Sequence, residues 1–188
     1  MNSIKQIEVL LADRLVGRLA LTKEGLCAFE YAPDWLGSGF SISPFELPLR
    51  SGVFIAKPRP FEGGFGVFDD CLPDGWGLLI LDRYLQQKGI NPRALTLLDR
   101  LALVGSSGRG ALEFRPDHSV VTRQDYADFE KLALEAERIL DSDEYKGEGI
   151  EEFQDRGGSP GGARPKIFAR YEGKEWLVKF RAKRDPQS

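Results

Sequence analysis

The chain has 188 residues, 41% hydrophobic and 29% charged, with a formal net charge of −3, enough for one sizeable core or for one domain and the start of another. No apolar run approaches the ~20 residues of a membrane-spanning helix, and nothing near residue 1 combines a basic segment, an apolar run and a small-residue cleavage site, so a cytoplasmic protein without a membrane role is expected. Cys27 and Cys71 have neither CxxC spacing nor a nearby histidine, which points away from a disulfide framework or a zinc site and toward small core residues.

Three short apolar-rich runs open the chain: Ile7 to Leu11, Leu15 to Leu21 and Leu26 to Tyr31. Polar residues separate them, and the spacing predicts an antiparallel meander. Residues 32–70 are rich in Pro, Gly, Ser and Phe, which favours loops and short edge strands over helices. A helix follows, with Asp74 as N-cap, apolar Trp76, Leu78, Leu79, Leu81 and Leu85, and Gly89 as its stop. Asn91 and Pro92 are expected to open another, with Leu95, Leu98, Leu101 and Ala102 on one face. Gly105 to Gly110 breaks it, and Ala111 to Phe114 reads as a returning strand. Thr122 and Asp125 resemble a capping box before a helix whose apolar stripe runs Tyr126, Phe129, Leu132, Ala133, Ala136, Ile139 and Leu140. Residues 141–156 are acidic, lack a sustained apolar pattern and read as a connector. Lys166 to Tyr171 and Lys174 to Phe180 then form a hairpin turning at Glu172 and Gly173. A lone two-stranded hairpin is marginal in water, so this one must pack on something.

Charge is polarised along the chain. Residues 124–155 carry 3 basic and 12 acidic groups, whereas residues 156–188 carry 9 basic and 3 acidic ones. The basic segment begins at a glycine-rich run, Gly157 to Lys166, and ends beyond Lys179 on the return strand of the hairpin. Glycines allow backbone N–H groups close approach to phosphates, and an adjacent ammonium adds a point charge. The run matches neither the Walker A pattern nor GxGxxG, so by itself it reads more readily as a flexible linker or turn. Lys179 alone reads first as a solvent-facing or edge lysine that discourages aggregation, and the phosphate reading rests on the two features together. The second cluster, Gly105 to Gly110 with Arg109, reads as a helix-to-strand turn, and His118 as an exposed turn residue.

The order of the pieces resembles the HipA-like serine/threonine protein kinases, the toxin components of bacterial toxin-antitoxin pairs. Val16-Gly17-Arg18-Leu19, Phe29 to Leu36 and Leu47-Pro48-Leu49 resemble the family's opening elements. Phe68-Asp69-Asp70-Cys71-Leu72-Pro73-Asp74-Gly75 resembles its helix start, and Val104 to Leu112 its "G-x-x-x-x-G-A-L" turn. Ser159 to Lys166 is similar to its "S-x-x-G-A-x-x-K" phosphate loop, and Leu177-Val178-Lys179-Phe180 to its nucleotide-binding strand.

The resemblance implies an α+β fold: an N-terminal antiparallel β meander with helices over residues 1–140, an acidic connector over 141–156, and over 157–188 a phosphate loop with the first β-hairpin of a kinase-like N-lobe. It implies that Gly161, Gly162 and Ala163 cover the phosphates of ATP, that Lys179 contacts them, and that Ser159 is a regulatory phosphorylation site. A phosphate on Ser159 would add nearly two negative charges to a loop that binds phosphates. Family members continue beyond Lys179, where the catalytic Asp and the Mg²⁺ ligands lie, so this chain is expected to be an N-terminal portion that is inactive alone. The partners implied are a DNA-binding antitoxin or a partner kinase subunit, and a protein substrate such as an aminoacyl-tRNA ligase. Direct nucleic-acid binding is not expected. The rival reading is a noncatalytic interaction module that docks an antitoxin or a separate kinase subunit.

Overall fold

Alternating apolar and polar positions generate the first three strands, β1 (Gln6–Leu11), β2 (Arg14–Leu21) and β3 (Cys27–Tyr31). The structure, a computed structural model, describes residues 3–108, 110–119, 129–141, 150–151, 153, 162–171 and 173–180. It is mixed α+β, and by its internal contacts it separates into two units. One comprises Met1–Leu72 with Ala94–Ser119, the other Pro73–Arg93 with Val120–Ser188.

In the first unit β4 (Val53–Ile55) and β5 (Leu112–Arg115) extend the meander to a five-stranded antiparallel sheet, ordered β4-β3-β2-β1-β5. Register explains which face is buried. Ile7 lies opposite Leu19, Leu19 opposite Phe29, and Phe29 opposite Phe54, a row whose four side chains all lie in the core. One residue along, Glu8, Arg18 and Glu30 form the matching row on the other face, where Arg18 meets Glu8 at 3.2 Å. A one-residue slip would exchange these rows, so burial of the first fixes the pairing.

Short helices α1 (Pro33–Ser38) and α2 (Gly66–Asp69) interrupt the region expected to be loops and edge strands. Pro33 sits in the first turn of α1, where its missing N–H costs nothing. Buried Trp35 anchors that helix, its indole N–H donating to the Phe40 carbonyl at 2.9 Å. Neither helix is long enough to show a periodic stripe in sequence. Residues 92–94 form only a single 3₁₀ turn, and α4 (Leu97–Val104) begins later than expected. Its start is set by a capping box: Thr96 accepts the Asp99 N–H, and Asp99 accepts the Thr96 N–H. Leu98 and Leu101 of α4 pack against the sheet core with Phe68 and Phe114.

The second unit contains α3 (Gly75–Gln87), α5 (Phe129–Asp141) and the hairpin β6 (Lys166–Tyr171) with β7 (Lys174–Lys179). Trp76 and Ile80 from α3, Leu132, Ala136 and Ile139 from α5, and Ile167, Ala169 and Phe180 share one core with Ile150 and Phe153. Trp76 and Phe153 meet edge to face with centroids 5.2 Å apart. The buried Arg83 side chain donates to the Ile139 carbonyl, placing a cation at the negative end of α5.

This division differs from the expected boundaries at 140 and 156. The hairpin requires an apolar partner, and α3 supplies it from far upstream. Ile150 and Phe153 are likewise core residues within the stretch read as a connector. Leu140, placed on the apolar stripe of α5 in sequence, is exposed. The expected cap at Thr122 and Asp125, and Tyr126 and Arg109, lie outside the described residues.

Candidate functional site

The hairpin and the end of the glycine run gather positive charge in the second unit. Lys166 and Lys179 are register partners on β6 and β7, so both side chains leave the same face of the ribbon. Lys166 is 4% exposed, whereas Lys179 is open to solvent. Like charges directly opposite one another in a sheet are unfavourable unless an anion lies between them. Burial lowers the pKa of Lys166 below the ordinary lysine value, and the charges of Lys179 and Arg164 add to this while Asp74 opposes it.

Of the glycine run, Gly162 and Ala163 are described and exposed. Gly161 and Ser159 lie outside the described residues. Gly162 has φ +97°, a backbone conformation suited to glycine, and the Lys166 ammonium nitrogen stands 3.4 Å from where a Gly162 Cβ would be. A buried ammonium thus points back at the loop that precedes its own strand.

Both backbone groups of Gly162 are engaged by the start of α3. Its carbonyl accepts the Trp76 N–H at 3.0 Å, satisfying one of the free donors at the helix N-terminus. Its N–H donates to Asp74 Oδ1 at 3.1 Å. Asp74 occupies the expected N-cap position, yet its side chain makes no capping bond to its own helix. Asp74 is thus the N-cap residue its sequence context predicts, but its carboxylate bonds Gly162 in place of its own helix. The Pro73-Asp74-Gly75 step was the available signal, since glycine in the first helical position is weak for a helix and useful for close approach.

Lys166 carries no sequence signal that sets it apart from Lys179, because burial cannot be read from a lysine at the head of a strand. Among the described residues, Lys166, Lys179 and Arg164 with the carboxylate of Asp74 suit a polyanion better than a divalent metal, which takes several oxygen ligands. Mg²⁺ is therefore assigned no ligands here. Among the described residues, no group of three or more His, Cys, Asp or Glu side chains is placed to hold a metal ion.

The other candidates are structural. His118 is exposed, and its backbone N–H donates to the Ala102 carbonyl at 2.8 Å. Gly105 ends α4 with φ +51°, and the turn after it is tied by Asp117, which accepts the Ser106 N–H at 3.0 Å and the Ser106 hydroxyl at 2.6 Å. Burial pushes the thiols of Cys27 and Cys71 up to about 11, which makes them poor nucleophiles. Among the described residues, no helix is long and apolar enough to cross a membrane.

The family model of the HipA N-terminal domain matches residues 7–115. The match spans all five strands of the first unit's sheet and continues through α3 and α4, while the glycine run and the hairpin lie outside it. With more than half of its length matched, the five-stranded antiparallel sheet and its helices in the matched region, the chain belongs to the HipA N-terminal domain family.

Proposed function

We propose that the glycine run and the β6–β7 hairpin hold the phosphates of ATP, and that the chain is the nucleotide-binding beginning of a HipA-like toxin kinase. In that kinase the γ-phosphoryl group of ATP passes to a serine or threonine of a protein substrate, an aminoacyl-tRNA ligase being the kind expected, under control of a DNA-binding antitoxin. The supporting observation is the register pairing of Lys166 with Lys179 beside Gly162. Two lysines facing the same way at the end of a glycine loop concentrate positive charge where a phosphate group would be attracted. In this reading Gly161, Gly162 and Ala163 cover the phosphates, Lys179 contacts them from the open side, and phosphorylation of Ser159 expels them. Orienting the attacking hydroxyl and binding Mg²⁺ require acidic groups that none of these residues supplies.

Calorimetric titration with ATP tests the reading. Wild type should bind, and Lys179→Met should weaken binding about tenfold by removing a charged phosphate contact. Equal affinity of wild type, Lys179→Met and Lys166→Met would overturn it.

One observation favours the rival reading of an interaction module. Edge strand β4 exposes Val53 by 56% and Ile55 by 61%, and Phe45 is fully exposed in the same unit. On that reading the protein purified from its own cells carries a stoichiometric partner, and Ile55→Lys removes the partner without lowering thermal stability.

A further inference from the structure

The Gly162 N–H, one of the groups that would face a phosphate, is already bonded to the Asp74 carboxylate at 3.1 Å. Asp74 is spared from capping α3, because the Trp76 N–H is satisfied by the Gly162 carbonyl. Gly162 thus holds the start of α3 through both of its backbone groups, its N–H on Asp74 and its carbonyl on Trp76, although it lies 88 positions from Asp74 in the chain.

Gly75 makes the approach possible. Its φ is +46°, and a Cβ on it would stand 2.5 Å from the Gly162 carbonyl carbon, 2.6 Å from its oxygen and 2.8 Å from the Ala163 nitrogen. No other residue type fits between the helix start and the loop. The carboxylate delivered there opposes the effects on Lys166 of burial and of Lys179 and Arg164.

We propose that Asp74 is a built-in anion for the glycine loop, bonded to Gly162 until a phosphate group displaces it. This rests on the nucleotide reading above and adds to it a competition between the protein's own carboxylate and the ligand. Until a phosphate binds, Asp74 offsets part of the lysine charge and holds Gly162 in its positive-φ conformation. On binding, a phosphate oxygen takes the Gly162 N–H and the freed carboxylate turns to solvent, since two anions cannot share one donor beside each other. The loop is kept in shape, and part of the binding free energy is spent on releasing Asp74.

The test is ATP affinity of the whole chain by calorimetry, for wild type, Asp74→Asn and Asp74→Ala. Asn keeps an acceptor for Gly162 and removes the charge, so it holds the loop even if the Ala variant does not fold. Affinity should rise from wild type to Asn to Ala, by about three- to tenfold overall, as expected for an exposed charge-assisted hydrogen bond. The carboxyl carbon resonance of Asp74 should also shift when ATP is added to wild type. Measurable binding by wild type with unchanged or weaker binding by both variants would overturn the inference and leave the nucleotide reading standing, with Asp74 acting to position the loop. Absence of binding by all three folded proteins would overturn the nucleotide reading and the competition together.

Discussion

The backbone N–H of Ile4 donates to Asp99 Oδ1 at 3.0 Å, tying the residue just ahead of β1 to the first turn of α4. The other carboxylate oxygen accepts both the N–H of Thr96 at 2.9 Å and its hydroxyl at 2.7 Å. Burial alone would raise the pKa of this carboxyl. The hydrogen bonds from Ile4 and Thr96, with a smaller effect of nearby His118, outweigh it and hold the group below its ordinary value of 3.8. A depressed carboxylate pKa contributes stability that is complete above the unfolded-state value and lost as pH falls through the folded-state value. Wild type should therefore lose stability below about pH 4, in the range where the unfolded carboxyl takes up its proton. Asp99→Asn should be weaker by about 1–3 kcal/mol at pH 7, because its amide nitrogen must face a donor, and should show less of the acid loss. Urea unfolding at pH 3, 5 and 7, followed by the fluorescence of buried Trp35, measures both. An Asn variant with the full wild-type acid dependence would place the titrating group elsewhere.

Gly17 is required by packing and not by turn geometry. It sits opposite Val9 and Tyr31 in the middle strand, and a Cβ there would lie 2.3 Å from the Glu30 carbonyl oxygen and 2.6 Å from the Phe29 ring. The obstruction is partly backbone, so the sheet must shift to admit a methyl group. Gly17→Ala should destabilise the first unit by about 1–3 kcal/mol, the usual cost of overpacking a core. Thermal unfolding of the variant checks this, and a melting temperature equal to wild type would show that the sheet yields freely.

Trp76 is 1% exposed, and its indole nitrogen has no hydrogen-bond partner among the described residues. Its contribution is therefore apolar contact, chiefly the edge-to-face arrangement with Phe153. Trp76→Phe keeps an aromatic ring and removes an unsatisfied donor, so the loss should be about 1 kcal/mol, against about 3–5 kcal/mol for Trp76→Ala. Hydrogen exchange of the β6 and β7 amides reports the second unit directly. Equal protection losses in the two variants would mean that the indole N–H is bonded after all.

The candidate site was legible in the sequence only in part. Glycines followed by lysines announced a phosphate-binding composition, and alternation in Lys166–Tyr171 and Lys174–Lys179 announced the hairpin. Which lysine is buried was not legible, because Lys166 and Lys179 stand in similar apolar surroundings along the chain and differ only in what covers them. The role of Asp74 was hidden for a related reason. An Asp before a helix has a local partner available, its own N-terminal amides, and sequence cannot show that a glycine far downstream takes their place.

Local chemistry determined the meander, the C-terminal end of α3 and the hairpin, since period-two alternation and a glycine stop act between neighbours in the chain. The same kind of signal misled at Asn91-Pro92, where an adequate start lost to the reciprocal Thr96 and Asp99 cap a few residues on. Tertiary structure alone decided that α3 shares a core with residues near the far end of the chain, and that Gly75 allows the carboxylate of Asp74 to reach Gly162. Those outcomes depend on apolar area and hydrogen-bond partners brought together across long stretches of chain, a property of burial that no single segment carries.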